Sequence, residues 1–271
     1  MLEWSKTQCV SVVVPCFNEV RTLGRALESC LRQPEVGQVI VVDDGSQDNS
    51  VHVAQFFAMK DSRVELLRLP ENFGAARARN LGVQRATLPV LAFLDADDEY
   101  LPSALTSAVK YLREHRQMPA IRLRVHLAGY PAEVYAFANF NAIAFNMSTG
   151  ITSSLVIRRD MFNLMGGFPE DEVYRRYGGE DHALQSVIVE LFGCEHMFDR
   201  PHVRNYWHPE SHVGRYFIRE IRGLETPEEN QEVAIATAAF SEQVRLRLAA
   251  ADAIKSASNA GTAPSARDSA L

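Results

Sequence analysis

Cysteine is scarce in this 271-residue chain, and its four copies, Cys9, Cys16, Cys30 and Cys194, form no CxxC pair. A metal site built on sulfur is therefore disfavoured, and with Cys9 and Cys16 in or beside an apolar strand the thiols read as small hydrophobes. Long hydrophobic runs are lacking too. The longest apolar stretches fall well short of the roughly 20 residues needed to span a bilayer, and Met1-Leu2-Glu3-Trp4-Ser5-Lys6 lacks the apolar segment of a signal peptide. The expectation is a cytoplasmic protein with no transmembrane segment. Positive charge is in deficit, because 28 Lys and Arg stand against 34 Asp and Glu for a formal net charge of -6. No bulk attraction to nucleic acid follows from that balance, so no nucleic-acid partner is expected. An anionic substrate would have to be met by a cation or by clustered arginines. No internal repeat is visible.

What is present is a chain 46% hydrophobic and 23% charged, enough to bury a core in one domain, or in one domain with an extension. The first hundred residues alternate short β-branched runs with segments of helical period. Val10-Ser11-Val12-Val13-Val14 reads as a buried strand stopping at Pro15. From Glu19 to Arg32, Val20, Leu23, Ala26, Leu27, Cys30 and Leu31 recur at three- and four-residue spacing, which predicts a helix with one face on a sheet. Strands are then predicted at Gln38 to Val42, Val64 to Leu69 and Val90 to Leu94, and helices at Ser50 to Lys60 and Ala75 to Arg85. Such strand-helix-strand units imply right-handed crossovers and a mainly parallel sheet. The α/β class follows.

Further along, a helix is predicted through Ala104 to Glu114. Ile121 to Leu127 and Glu133 to Phe145 read as antiparallel strands with a mobile connection. Ser153 to Ile157 is strand-like, Arg159 to Met165 helical, and another helix begins at Glu180. Pro227 to Ala253 reads as an amphipathic helix, and the Ala-, Ser- and Gly-rich stretch from Lys255 to Leu271 as disordered. The domain scheme is thus a main α/β unit over 1–226, a helical extension over 227–254 and a tail over 255–271.

The stretch richest in chemistry is Phe93-Leu94-Asp95-Ala96-Asp97-Asp98-Glu99, a buried strand ending in carboxylates that can hold a hard divalent cation. The plain alternative is a solvated turn. Two observations favour a site: Asp43-Asp44 ends the second strand just as Asp95 to Glu99 ends the fourth, and ligands of parallel sheets bind beyond the carboxyl ends of strands. Both clusters, and Pro15-Cys16-Phe17-Asn18-Glu19 after the first strand, then face one crevice.

In order, Val12-Val13-Val14-Pro15-Cys16-Phe17-Asn18-Glu19, Val41-Val42-Asp43-Asp44-Gly45-Ser46, Asn72-Phe73-Gly74-Ala75-Ala76-Arg77-Ala78-Arg79-Asn80, Phe93-Leu94-Asp95-Ala96-Asp97-Asp98 and Gly179-Glu180-Asp181 resemble the glycosyltransferases of family 2. The resemblance covers roughly Ser11 to His208. It implies the GT-A fold, a Rossmann-like, mainly parallel sheet flanked by helices, here with a C-terminal helical extension. It also implies transfer of a sugar from a nucleotide diphosphate donor with inversion, using Mg or Mn. By that resemblance Asp97 ligates the metal and Asp95 contacts ribose or metal-bound water. Asp44 reads the nucleobase edge, a carboxylate suited to uracil, which favours a UDP-sugar over GDP or dTDP donors, while Asp43 serves local backbone donors.

Pro15, Phe17 and Glu19 resemble the first nucleotide loop, although Phe17 also fits a core role. Gly74 and the alanines after it open a helix whose amides can face an anion. Of Arg77 and Arg79, two apart and pointing differently, Arg77 is preferred at the site. Asp181 matches the general base that takes the acceptor proton, with Glu180 orienting it or touching acceptor. Both acids also suit a helix N-terminus on purely structural grounds. His208 is ranked ahead of His212 to complete the metal shell. Asp98 and Glu99 either support the metal ligands or simply begin the next turn. The acceptor is unnamed by the sequence, a saccharide, a lipid-linked saccharide or another hydroxyl. Whether the C-terminal helix packs on the main domain, dimerises or makes peripheral contact with the inner face of a membrane is left open. A nucleotidyltransferase would place a Gly-rich, basic loop after the first strand, and Pro15 to Glu19 is not one. A non-catalytic nucleotide-sugar binder is the remaining alternative.

Overall fold

The computed structural model describes residues 7–208, 211–224 and 227–260. Its first half is a run of alternating elements: β1 (Val10–Cys16), α1 (Leu23–Leu31), β2 (Val36–Asp43), α2 (Ser50–Lys60), β3 (Val64–Arg68), α3 (Ala75–Arg85) and β4 (Val90–Phe93). β1 pairs in parallel with β2 and β4, and β2 with β3. The side chains of β1 alternate between two apolar layers. Val12 and Val14 pack with Leu23 and Leu27 of α1 on one face, while Val13 packs with Ala78 and Val83 of α3 on the other. Leu23 and Leu27 are fully buried, each worth about 1.5–3 kcal/mol of transfer from water. Helix α3 lies unusually close to the sheet at Gly82, where a Cβ would sit 2.5 Å from Cγ1 of Val13.

The second half returns to the same sheet from farther away. After β5 (Glu99–Tyr100) and α4 (Thr106–Glu114) come β6 (Ala120–Leu123), β7 (Val125–Ala128), α5 (Ala132–Tyr135), α6 (Phe140–Gly150) and a single 3-10 turn, Thr152–Ser154. The chain continues through β8 (Leu155–Arg158), α7 (Arg159–Met165), α8 (Glu172–Tyr177), α9 (Glu180–Phe192), β9 (Glu195–Met197), β10 (Val203–Tyr206), α10 (His212–Arg222) and α11 (Pro227–Ala260). The main sheet has seven strands in the order β3-β2-β1-β4-β8-β6-β9, and β5-β10-β7 form a second, three-stranded sheet. β8 is antiparallel to both β4 and β6, whereas β9 is parallel to β6.

Three expectations change here. The stretch from Ile121 to Leu127 is broken at the exposed Arg124 and shared between two sheets, because Ile121 and Leu123 face the main core while Val125 and Leu127 pair along β10. The stretch from Glu133 to Phe145 is helical, not extended. Its apolar side chains recur at helical spacing, with Phe140, Ile143, Ala144 and Met147 on or against the core. Helix α11 runs on through Lys255 to Ala260, into the segment expected to lack structure, while residues 261–271 lie outside the described residues. Phe240 and Val244 of α11 are buried in the layer that holds Phe162 of α7 and Leu184 of α9. Among the described residues no helix is long and apolar enough to cross a membrane.

Candidate active site

A cleft of about 670 Å³ opens beyond the carboxyl ends of β1, β2 and β4. Pro15, Phe17, Glu19, Asp44, Arg77, Asp95, Asp97 and Glu180 all line it. The crossovers of the parallel half bring these segments to one rim, where successive strands end at the same level.

The two loops on the nucleotide side are stitched to one another. The Asn18 N–H donates to Ser46 Oγ at 3.0 Å, the Gln47 N–H to Asn18 Oδ1 at 2.8 Å and the Glu19 N–H to Ser50 Oγ at 2.8 Å. Phe17 is not core: it is 42% exposed at the cleft wall, an aromatic face available for stacking. Asp44, not Asp43, serves the local backbone. Its two carboxylate oxygens accept the N–H groups of Phe73 at 2.8 Å and Gly74 at 2.9 Å, which fixes the entry to α3. Burial raises the Asp44 proton affinity, and those two bonds oppose the rise.

In the acidic run the carboxylates have separate tasks. Asp95 accepts from Arg79 Nη2 at 2.7 Å, and its own N–H donates to Ser153 Oγ at 3.0 Å. Arg79 also donates through Nη1 to Glu180 Oε1 at 2.9 Å, and its side chain is only 7% exposed. Burial alone would weaken the guanidinium's hold on its proton, but Asp95 and Glu180 outweigh it and the pKa rises. Arg79 therefore bridges the end of β4 to the start of α9. Arg77, the residue preferred from sequence, lines the cleft with its guanidinium 4.4 Å from the centre of the Phe73 ring.

Asp97 is pushed up to about 7 by burial first, then by the nearby charges of Asp95 and Glu19. Asp98 turns inward, where Asn205 Nδ2 donates to it at 2.8 Å and the Tyr130 hydroxyl donates to Asn205 Oδ1 at 2.5 Å. Glu99 accepts from the Tyr206 hydroxyl at 2.8 Å and from Arg204 at 3.1 Å. Both acids thus tie the β5 segment to β10.

Among the described residues no three His, Cys, Asp or Glu side chains form a closed metal cage. The donor set still fits a hard cation. Asp95, Asp97 and Glu19 bring carboxylate oxygens to the cleft lining, and the charges of Asp95 and Glu19 add to burial in raising the proton affinity of Asp97. A magnesium-like ion needs only one or two carboxylates when phosphates and water supply the rest.

His208 does not join this group. Its side chain is exposed, it is not among the residues lining the cleft, and its carbonyl accepts the N–H and Oγ of Ser211. His212 opens α10. Asp181 stands at the first turn of α9, where it accepts the N–H of His182 at 2.8 Å; it is not itself among the residues lining the cleft, which its neighbour Glu180 enters. The turn before it requires glycine, since Gly178 and Gly179 have φ of 79° and 99°. A Cβ on Gly179 would lie 3.3 Å from Val233 of α11. Sequence reasoning missed Arg175 of α8 and Arg215 of α10, which bring two further cations to the cleft. Neither stands in a motif. Arg175 donates to the Asn72 carbonyl at 3.2 Å across the mouth of α3.

The model of the family described as Glycosyl transferase family 2 matches residues 11–164. The succinoglycan biosynthesis protein ExoU of Rhizobium meliloti is 38% identical over 96 residues, 35% of this chain and 28% of that protein. The putative teichuronic acid biosynthesis glycosyltransferase TuaG of Bacillus subtilis is 34% identical over 106 residues, 39% of this chain and 42% of that protein. The matched region thus spans less than half the length of these relatives. Among solved structures, the mannosyltransferase PcManGT of Pyrobaculum calidifontis, in complex with GDP-Man and Mn2+, has a TM-score of 0.59 at 20% identity, over 93% of this chain and 77% of that one. S. aureus TarS 1-349 in complex with UDP-GlcNAc gives 0.59 at 19% identity, over 84% and 71%. At such identities the likeness is one of fold, and it agrees with the sheet order and the rim of strand ends described above. With the family model matching more than half its length, the chain belongs to glycosyltransferase family 2 and has the GT-A fold.

Proposed function

We propose that this protein transfers a sugar, with inversion, from a nucleoside diphosphate donor to an acceptor hydroxyl, with the help of Mn or Mg. The observation that carries the reading is the Arg79 bridge. One buried guanidinium holds Asp95, on the donor-side strand end, and Glu180, beside the acceptor-side base, in a single cleft.

Asp97 and Asp95 are the residues that would hold the cation, and His208 is left out of the set because its side chain is exposed and does not line the cleft, although Asn205 and Ser211 on either side of it do. When bound, the cation supplies neutralising charge to the departing diphosphate. The cleft's own arginines, Arg77, Arg175 and Arg215, add donors suited to phosphate oxygens. Phe17 offers a stacking face to the base. Asp44 already accepts two backbone N–H groups, but each oxygen keeps a further lone pair for a uracil N–H. That acceptor suits the N–H of a UDP-sugar's uracil; thymine and guanine carry ring N–H donors too, so the donor panel decides among them. Asp181, beside Glu180, takes the proton of the acceptor hydroxyl as it attacks the anomeric carbon on the face opposite the diphosphate.

A panel of UDP-, GDP- and dTDP-sugars with Mn2+, read by thermal unfolding, tests the donor. A ligand at 100 times its Kd adds about 2.7 kcal/mol of apparent stability. Stabilisation by UDP-sugars above the others supports the reading; a response to none of them, with or without metal, removes it.

A further inference from the structure

Arg122 lies in β6, outside every sequence motif, and is 1% exposed. A fully buried arginine usually answers a carboxylate. Here the hydrogen-bond partners are neutral. Nε donates to Gln185 Oε1 at 2.6 Å, and Nη1 donates to the Ile151 carbonyl at 2.8 Å, Ser154 Oγ at 3.0 Å and, more weakly, the Gly150 carbonyl at 3.4 Å. Burial brings the guanidinium down to about 10, with the charges of Cys194 and Asp181 acting the other way, so it stays cationic at neutral pH.

These partners belong to the two segments whose relative placement the reaction depends on. Gln185 stands four residues after Asp181 on α9, one helical turn along the same face. The segment from Gly150 to Ser154 contains the buried Ser153, whose Oγ receives the Asp95 N–H. The C-terminus of α6 also abuts the residue next to Asp181, because a Cβ on Gly150 would collide with the His182 ring. One fork of donors on the sheet therefore clamps the helix of the base and the turn that pins the donor-side acid.

We propose that Arg122 is a positioning residue for the acceptor-side base, setting Asp181 relative to Asp95 through Gln185 and the 150–154 segment without touching substrate. The inference rests on the reading of Asp181 as the base. A lysine keeps the charge but cannot reproduce a planar fork directed at both segments. A displacement of about 1 Å at a reacting group can cost on the order of 10²-fold in rate.

The test is a double-mutant cycle on the full chain, with Arg122→Lys made alone and in an Asp181→Asn background. Two readouts are taken: hydrolysis of the nucleotide sugar that gives the largest shift in the thermal panel, with water as acceptor, and UDP binding with Mn2+ by calorimetry. The expected result is a kcat loss on the order of 10²-fold for Arg122→Lys, donor KM and UDP affinity within about twofold, and little further loss once Asp181 is asparagine. Gln185→Leu cuts only the helix arm of the clamp, and it should give the same signature if Arg122→Lys fails to fold. Full turnover in either folded variant overturns the proposal. So does an equal loss in both backgrounds, UDP affinity falling in step with kcat, or failure of both variants to fold, which would make the clamp a folding element only. Full turnover in Asp181→Asn by itself refutes the base assignment, whatever Arg122→Lys does.

Discussion

The two halves of the cleft are built differently. The donor half is assembled from the ends of neighbouring parallel strands and held by short bonds between adjoining loops, such as Asn18 to Ser46 and Gln47. The other half is gathered from the 169–172 segment, α8, the start of α9 and α10, segments distant in the chain, with α6 and α11 packed behind α9, and buried arginines tie it to the sheet. Arg79 reaches Glu180 across 101 residues and Arg122 reaches Gln185 across 63. On the proposed reading, local strand-end geometry carries the nucleotide chemistry, while the placement of the base depends on the packing of the whole second half. Damage to the first half should therefore appear as lost chemistry in a stable protein, and damage to the second as lost placement or lost stability.

The sharpest test of that contrast is Asp97→Ala. Withdrawing the cation's ligand should lower turnover by on the order of 10³-fold or more, equivalent to several kcal/mol of charge stabilisation, and leave the unfolding midpoint in metal-free buffer at or above that of the parent. Full turnover in chelator, or in this variant, breaks the donor-half assignment. Next comes Asp181→Asn, expected to cost about 10²–10⁴-fold in transfer while UDP with Mn2+ binds as before. A parallel loss of nucleotide affinity would show that the halves are not separable.

Stability is the expected weakness of the acceptor half. Phe240 of α11 is 4% exposed in the layer shared with α7 and α9, so Phe240→Ala should cost about 3–5 kcal/mol in denaturant unfolding. Removing α11 altogether by ending the chain before Pro227 should cost more stability and also loosen the Gly179 turn against which Val233 packs. Unchanged size, stability and activity after that truncation would make the helix a dispensable appendage.

The smallest effect expected is pH-dependent. His202 is fully buried beside β10, neither ring nitrogen has a hydrogen-bond partner among the described residues, and burial lowers its pKa against the opposing charge of Asp199, whose Oδ1 lies 3.7 Å from Nε2. Its folded pKa lies below the unfolded value near 6.5, so the unfolded chain takes up more protons as the medium is acidified. Stability from this group is present above about pH 6.5 and is lost progressively below it. His202→Leu should flatten the fall in melting temperature over that window, and an unchanged slope would exonerate the residue.

The same contrast explains what could be read from sequence. Strands β1 to β4 and their loops announce themselves because each strand is a short β-branched run ending in polar residues at the rim. Asp95, Asp97, Asp44 and the Pro15 to Glu19 loop meet in one cleft as their spacing implied. Within that half the errors were of neighbour and direction. Asp44 took the backbone donors expected of Asp43, since which of two adjacent acids faces a loop is decided by strand register. Arg79, rather than Arg77 alone, turned inward because its helix face looks toward β4. Beyond Pro102 the signal weakens for a physical reason. Phe140, Ile143 and Met147 have helical spacing but β-favouring composition, and nothing local announces that β6 and β7 part company at Arg124. Arg122, Arg175 and Arg215 gain their meaning only from residues far along the chain.

The close seat of α3 on the sheet bears on redesign. With Gly82 against Val13, the helix that carries Gly74, Arg77 and Arg79 has no room to shift, and its first turn is set by Asp44 as well. An engineer wishing to change donor preference would gain little by repacking α3. The adaptable wall is the opposite one, formed by Arg175 of α8 and Arg215 of α10, whose side chains reach the cleft from helices outside the parallel half of the sheet.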